Sequence, residues 1–127
     1  YGTAGLARVV EMMSRAGLNV ELEQTGNLDD ISPAISLGVH RLVQESLTNV
    51  LRHAGHAPRA VVRVAREADT VTVEISDNGT GSAAPPTGGG GHGLVGMRER
   101  VAVLQGTLQV GRTPQGSWLV RARLPIE

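Results

Sequence analysis

The sequence predicts an α+β fold, a two-layer α/β sandwich in which about three helices cover one face of a mostly antiparallel mixed sheet. Three observations lead there. Three stretches repeat apolar residues at helical spacing, five shorter ones read as strands, and polar turns join neighbouring strands. A chain of 127 residues with 40% hydrophobic residues suits one domain, 1–127, with a core of its own, although Phe is absent and aromatics make up 2%.

In chain order, Leu6, Val9, Val10 and Met13 keep helical spacing up to Gly17, after which Leu18, Val20 and Leu22 alternate with polar residues as a half-buried strand. Residues Gly26 to Ser32 are polar and turn-like. Ser32 suits a helix N-cap, and Pro33 suits a first helical position, where its missing amide hydrogen costs nothing. Ile35, Val39, Leu42, Val43, Ser46, Leu47, Val50, Leu51 and Ala54 then share one broad stripe of a long core helix stopped by Gly55. Arg59 to Arg66 and Thr70 to Ser76 form a hairpin around Ala68-Asp69, with Val71, Val73 and Ile75 on one face. Ser82 to Gly91 is small, Pro-containing and Gly-rich, a composition that builds no core and predicts mobility. Leu94, Met97, Val101 and Leu104 define a third helix, closed by Gly106. Thr107 to Val110 and Ser117 to Leu124 are the last strands, turned at Thr113 to Gly116, with Trp118, Val120, Ala122 and Leu124 facing the core.

Composition removes several classes of function. The formal charge is zero, so no chain-wide attraction to nucleic acid or anionic membrane is expected. Cysteine is absent, which excludes disulfides, thiolate catalysis and cysteine-ligated zinc and fits a reducing compartment. All 12 basic side chains are Arg, so neither the Lys of a P-loop nor the strand Lys of a eukaryotic-type protein kinase exists here. No apolar run approaches a membrane span, and Tyr1 to Gly5 does not open a signal peptide. The expectation is a cytoplasmic domain, without direct membrane contact, cut from a longer protein.

Three local features carry chemistry. Asp77 begins a turn, Asp77-Asn78-Gly79-Thr80-Gly81, whose carboxylate can accept a hydrogen bond from the exocyclic amine of adenine while Gly79 and Gly81 remove bulk. Guanine presents an acceptor at that place and would be repelled. Asp-Asn-Gly is also an ordinary turn signal. Gly91-His92-Gly93-Leu94-Val95-Gly96 matches the dinucleotide-binding fingerprint literally, but no strand precedes it and no βαβ unit surrounds it. Its remaining chemical meaning is open backbone amides and a helix N-terminus near Leu94, both suited to phosphate oxygens; a linker before a core helix is the alternative.

The third feature is the row Glu45, Asn49 and His53, one helical turn apart and bordering the apolar stripe. Asn49 offers a hard amide oxygen to Mg²⁺, which keeps water and phosphate in its shell. Glu45 can hold a metal-bound water or act as a base, and His53 can donate to a phosphate. A solvated helix face and a core-edge histidine are the alternatives. Arg52 and Arg98 are further phosphate neighbours, Arg98-Glu99-Arg100 otherwise reading as a solvated surface with an internal ion pair. His40, His56 and His92 show no zinc-binding spacing.

Together, the runs Gln44 to Ala54, Asp77 to Gly81 and Gly93 to Val101 resemble the N, G1 and G2 boxes of bacterial sensor histidine kinases. The resemblance is closest to the subgroup paired with LuxR-type response regulators, in which a Gly-Met-Arg-Glu-Arg run follows the second glycine box, as at Gly96 to Arg100. It implies the Bergerat fold of the GHKL ATPases, binding Mg²⁺ and ATP beneath a mobile lid at about 82–92. On the same resemblance Asn49 ligates Mg²⁺, Asp77 binds adenine, and Gly79, Gly81, Gly91, Gly93 and Gly96 shape the loops. Glu45 and His53 take the catalytic positions. Arg52, Leu94, Met97 and Ser117 complete the nucleotide-binding set, Ser117 standing where relatives usually have Thr. A separate F box is not visible. The dimerisation helices and their phosphoacceptor histidine are not in the chain, so the domain should not phosphorylate itself; those helices, and indirectly a LuxR-type regulator, are the implied partners. A GHKL anti-sigma-factor serine kinase and a non-catalytic nucleotide-binding module are the alternatives.

Overall fold

The computed structural model describes residues 2–53, 58–77, 91–112 and 117–126, with the backbone alone at 2–4, 53 and 91–94. Helix α1 (Gly2–Arg15) leads to strand β1 (Asn19–Thr25), helix α2 (Pro33–His53), strands β2 (Arg59–Arg66) and β3 (Thr70–Asp77), helix α3 (Gly91–Val103) and strands β4 (Thr107–Arg112) and β5 (Trp118–Pro125). The strands form one sheet in the order β1-β2-β3-β5-β4. β1 and β2 are parallel because α2 crosses between them, and the remaining pairs are antiparallel. The expected α+β sandwich is what forms. No helix among the described residues is long and apolar enough to cross a membrane.

Register explains the core. Val64, Val73, Ala122 and Leu108 lie in one row across the sheet, and Val62, Ile75, Val120 and Val110 in the next. Leu6, Val9 and Met13 of α1, the Ile35 to Val50 stripe of α2, and Met97 and Val101 of α3 close over that face. Trp118 and Leu104 pack at its margin half-buried. The opposite face carries a row of charges in register, Glu23, Arg63, Glu74 and Arg121, joined by ion pairs of 3.1–4.0 Å. Such exposed pairs add little stability, but they mark this face as the solvated one.

Local chemistry sets the ends. Ser32 caps α2 as expected, its hydroxyl accepting from the Ile35 amide at 3.4 Å. Leu18 is not the first strand residue but part of the α1 cap. Gly17 takes φ +104, and the Leu18 amide donates to the Met13 carbonyl at 3.0 Å, burying Leu18 against the core. The turn before α2 also hides a core residue, Leu28, held by Arg66, which donates to the Asn27 and Asp30 carbonyls.

Gly106 plays a different part from the one its position suggests. The left-handed residue ending α3 is Gln105, at φ 61, while the Gly106 amide donates to the Val101 carbonyl at 2.9 Å. Glycine is required at 106 because a Cβ there would lie 2.5 Å from the Arg123 carbonyl oxygen and 2.6 Å from Leu124 Cδ2. Gly106→Ala is expected to destabilise the domain by about 1–3 kcal/mol, measurable as a lower midpoint in urea.

α3 begins at Gly91, three residues earlier than Leu94 suggested, so Gly91 and His92 of the expected lid form its first turn. First-turn amides have no intrahelical partner in any case, and glycine therefore costs least there. Positions 54–57, 78–90 and 113–116, which include Gly55, His56, Gly79, Gly81 and most of the expected lid, lie outside the described residues.

Candidate functional site

Connectivity brings the chemistry-bearing residues to one end of the sheet. α2 ends at His53 and β2 starts at Arg59, a link that spans at most roughly 3.5 Å per residue. Ala60 pairs with Asp77 and Ser76 with Leu119, so the last turn of α2, the end of β3 and the start of β5 share that end. α3 runs antiparallel to α2, with Leu104 against Gly38, Met97 against Ser46 and Arg100 against Glu45. Asn49, one turn beyond Glu45, shares a cleft with Gly96 and Arg100 of α3.

Between the two helices lies an open cleft of about 510 Å³, lined by Gln44, Glu45, Thr48, Asn49 and Arg52 of α2 and by Gly96 and Arg100 of α3. Its size falls within the roughly 300–1,000 Å³ range of small-molecule sites. Glu45 and Asn49 are half-buried, whereas Arg52 is exposed. The Thr48 hydroxyl donates to the Gln44 carbonyl at 2.8 Å, which leaves the wall to the longer side chains. Glu45 accepts from Arg100, an ion pair half-buried on both sides.

Asp77 occupies the core face of β3, in line with Val20 and Ala60 and next after Ile75. Placing a carboxylate at the end of an apolar row requires a partner, and the Trp118 amide donates to Asp77 Oδ1 at 3.1 Å. That bond ties the end of β3 to the start of β5, where Ser117 stands half-buried immediately before Trp118. The outer side of Asp77 borders a hollow of about 230 Å³ shared with Asn19, Arg59 and Ser76.

Glu45, Asn49, Arg52 and Gly96 are thus brought together, while Asp77 and Ser117 meet at the neighbouring strand ends. Met97 is different: at 1% exposure, with its sulfur 4.0 Å from the Ser46 hydroxyl, it packs α3 onto α2 and does not line the cleft. Gly91, Gly93 and Leu94 lie in the first turn of α3, and His53 ends α2; only their backbone is placed. Arg98 is exposed and lies off the cleft. Arg100 is the residue that sequence reasoning missed. Its i, i+4 relation to Gly96 was the available signal, since it sets both on one face of α3. His40 sits half-buried at the far end of α2 among Leu6, Leu28 and Val64, and burial holds its imidazole below the ordinary value; it is a core-edge histidine.

The donor set suits a metal-bound phosphate chain. Glu45 and Asn49 offer hard oxygens, and Arg52 and Arg100 add positive charge. Among the described residues no group of three or more His, Cys, Asp or Glu gathers around a metal position. A bound Mg²⁺ would therefore draw most of its ligands from phosphate and water.

Comparison with known proteins bears on the family and the fold. DegS of Brevibacillus brevis, a signal transduction histidine-protein kinase/phosphatase, is 33% identical over 87% of this chain and 28% of its own. The sensor histidine kinase YxjM of Bacillus subtilis (strain 168) is 33% identical over 96% of this chain and 29% of its own. The chain thus spans under a third of these curated relatives. The mycobacterial sensor histidine kinase MprB shares the fold, with a TM-score of 0.71 and 20% identity over 97% of this chain and 94% of that structure. Residues 34–127 match the family model described as histidine kinase-, DNA gyrase B- and HSP90-like ATPase, and the chain belongs to that family.

Proposed function

We propose that the domain binds Mg²⁺-ATP and supplies the γ-phosphoryl group for a histidine on a separate dimerisation domain, as a module of two-component signalling. The observation that carries this reading is the cleft between α2 and α3 lined by Glu45, Asn49, Arg52, Gly96 and Arg100, with Asp77 at the end of the core face of β3. Membership of the ATPase family and the sensor-kinase relatives support it. The names of those relatives favour a histidine rather than a serine acceptor.

In this reading Asp77 accepts a hydrogen bond from the adenine amine, and Gly79 and Gly81 let the base approach. Asn49 ligates Mg²⁺, with Glu45 beside it, while His53, Arg52, the amides at Gly91 to Leu94 and Ser117 contact the nucleotide. Residues 82–90 cover the phosphates. Bound Mg²⁺ supplies charge neutralisation on the phosphate oxygens. A nitrogen of the acceptor imidazole attacks the γ-phosphorus, the bond to the β–γ bridging oxygen breaks, and ADP leaves as the imidazole gives up its proton. There is little covalent work for the domain; positioning and electrostatics carry the rate. The partners are the phosphoacceptor domain and, indirectly, a LuxR-type regulator.

Calorimetric titration with ATP and GTP, each with and without Mg²⁺, tests the reading. ATP should bind more tightly than GTP, and more tightly with the metal than without it. Equal affinity for the two nucleotides would reject the adenine site. Joining the chain to a dimerisation domain and following acid-labile phosphohistidine tests the transfer; tight ATP binding with no label would leave a regulatory module.

A further inference from the structure

Gly96 and Arg100 form a unit that the nucleotide-binding reading does not require. A Cβ built on Gly96 would lie 3.2 Å from Arg100 Nη1, 3.5 Å from Nη2 and 3.7 Å from Cζ. The two terminal nitrogens are nearest and Cζ is farther, so the guanidinium stands beside Gly96 with its Nη1/Nη2 edge close to where a side chain would begin. From there Nη2 donates to Glu45 Oε2, across the gap between α3 and α2. The pair is half-buried and lines the cleft beside Asn49.

We propose that Arg100 is a positioning residue for Glu45, given room by the missing side chain of Gly96, and that it sets the Glu45 carboxylate at the metal side of the cleft. An unattached Glu on an exposed helix face samples several rotamers; one tied to a flat guanidinium on the neighbouring helix keeps few of them. The pair also makes the separation of α2 and α3 part of the metal site, so a shift in the first turns of α3 would reach Glu45 directly. Gly96 therefore leaves room for Arg100 at the wall of the cleft. This inference rests on the Mg²⁺-ATP reading above.

The test is ATP affinity with and without Mg²⁺, by calorimetry, for the wild-type chain, Arg100→Ala, Arg100→Lys, Glu45→Gln and the Arg100→Ala/Glu45→Gln double variant. Supporting groups around a metal site typically alter metal affinity by about 10–100-fold. Arg100→Ala should therefore weaken Mg²⁺-ATP roughly tenfold or more and leave metal-free ATP unchanged. Arg100→Lys keeps the charge without the flat fork and should fall between. Glu45→Gln should match Arg100→Ala, and the double variant should lose no more than either single one. Gly96→Ala should reproduce part of the loss and add nothing to Arg100→Ala. Loss of metal-free ATP affinity that persists in Glu45→Gln would make Arg100 a direct phosphate ligand and overturn the proposal. Unchanged Mg²⁺-ATP affinity in a folded Arg100→Ala or Arg100→Lys would overturn it too. A wild-type chain indifferent to Mg²⁺ would instead remove the metal-ATP reading itself, and this inference with it.

Discussion

Asp77→Asn is expected to lower ATP affinity roughly a hundredfold while the domain keeps its fold. The two halves of that expectation come from the same carboxylate. One oxygen accepts from the Trp118 amide at 3.1 Å and joins the end of β3 to the start of β5. Asn retains an acceptor for that bond, so the strand ends stay joined. What Asn cannot do is accept a second hydrogen bond with full charge, because its other terminal atom is an NH₂ donor. Facing the adenine amine, donor meets donor. A hydrogen bond to a charged group contributes about 1.5–3 kcal/mol, and a desolvated, unpaired donor costs about 1–3 kcal/mol more. Either value alone weakens binding at least several-fold, and together they reach the hundredfold range. Calorimetry gives the affinity, and circular dichroism melting shows whether the fold has changed. Unchanged affinity would remove Asp77 from the nucleotide site. Asp77→Ala separates the two roles further, since it also removes the acceptor for Trp118 and should lower the melting temperature.

How far the sequence disclosed this site depends on what kind of contact was involved. Periodicity located all eight elements, because the apolar stripe of α2 and the alternation in β2, β3 and β5 answer to local geometry alone. It placed Glu45 and Asn49 on one wall for the same reason. It could not find the partner of Glu45, since nothing in a single chain of letters states that α3 lies antiparallel to α2 with Arg100 opposite. Arg98-Glu99-Arg100 therefore looked like a surface run, although Arg100 turns to the cleft and Arg98 to solvent. Met97 shows the reverse case: the resemblance names it for the nucleotide site, while its helical spacing with Val101 marks it for the core, where it lies. Gly106 and Gln105 show a third kind. Glycine was the natural choice for the left-handed residue ending α3, yet Gln105 takes that conformation. Gly106 is explained by the approach of Arg123 from β5, a contact between distant parts of the chain.

Asn49→Ala should remove the Mg²⁺ dependence of ATP binding and, in a chain joined to its phosphoacceptor domain, reduce phosphohistidine formation by a hundredfold or more. Mg²⁺ dehydrates reluctantly and is held by few protein ligands. In this cleft the described residues offer the Asn49 amide and, one turn away, a Glu45 carboxylate already engaged by Arg100. Asn49 faces α3 across the cleft that Gly96 and Arg100 line, so a metal on its oxygen would sit between the two helices, and in the proposed reading the amides at the start of α3 take phosphate oxygens. Removing the side chain leaves those amides in place and takes away the link to the metal. Nucleotide should still bind through its base, at the affinity of metal-free ATP, while transfer loses the charge neutralisation that a fixed cation supplies. Losing one preorganised electrostatic contact costs on the order of 10²–10³ in rate, which sets the expected size. Asn49→Asp keeps an oxygen and adds a charge, so it should bind the metal yet repel the triphosphate, and its transfer should fall between the wild type and Asn49→Ala. If Asn49→Ala binds Mg²⁺-ATP as tightly as the wild type and transfers phosphate at a similar rate, the metal is held by other atoms and the α2 wall is a scaffold only.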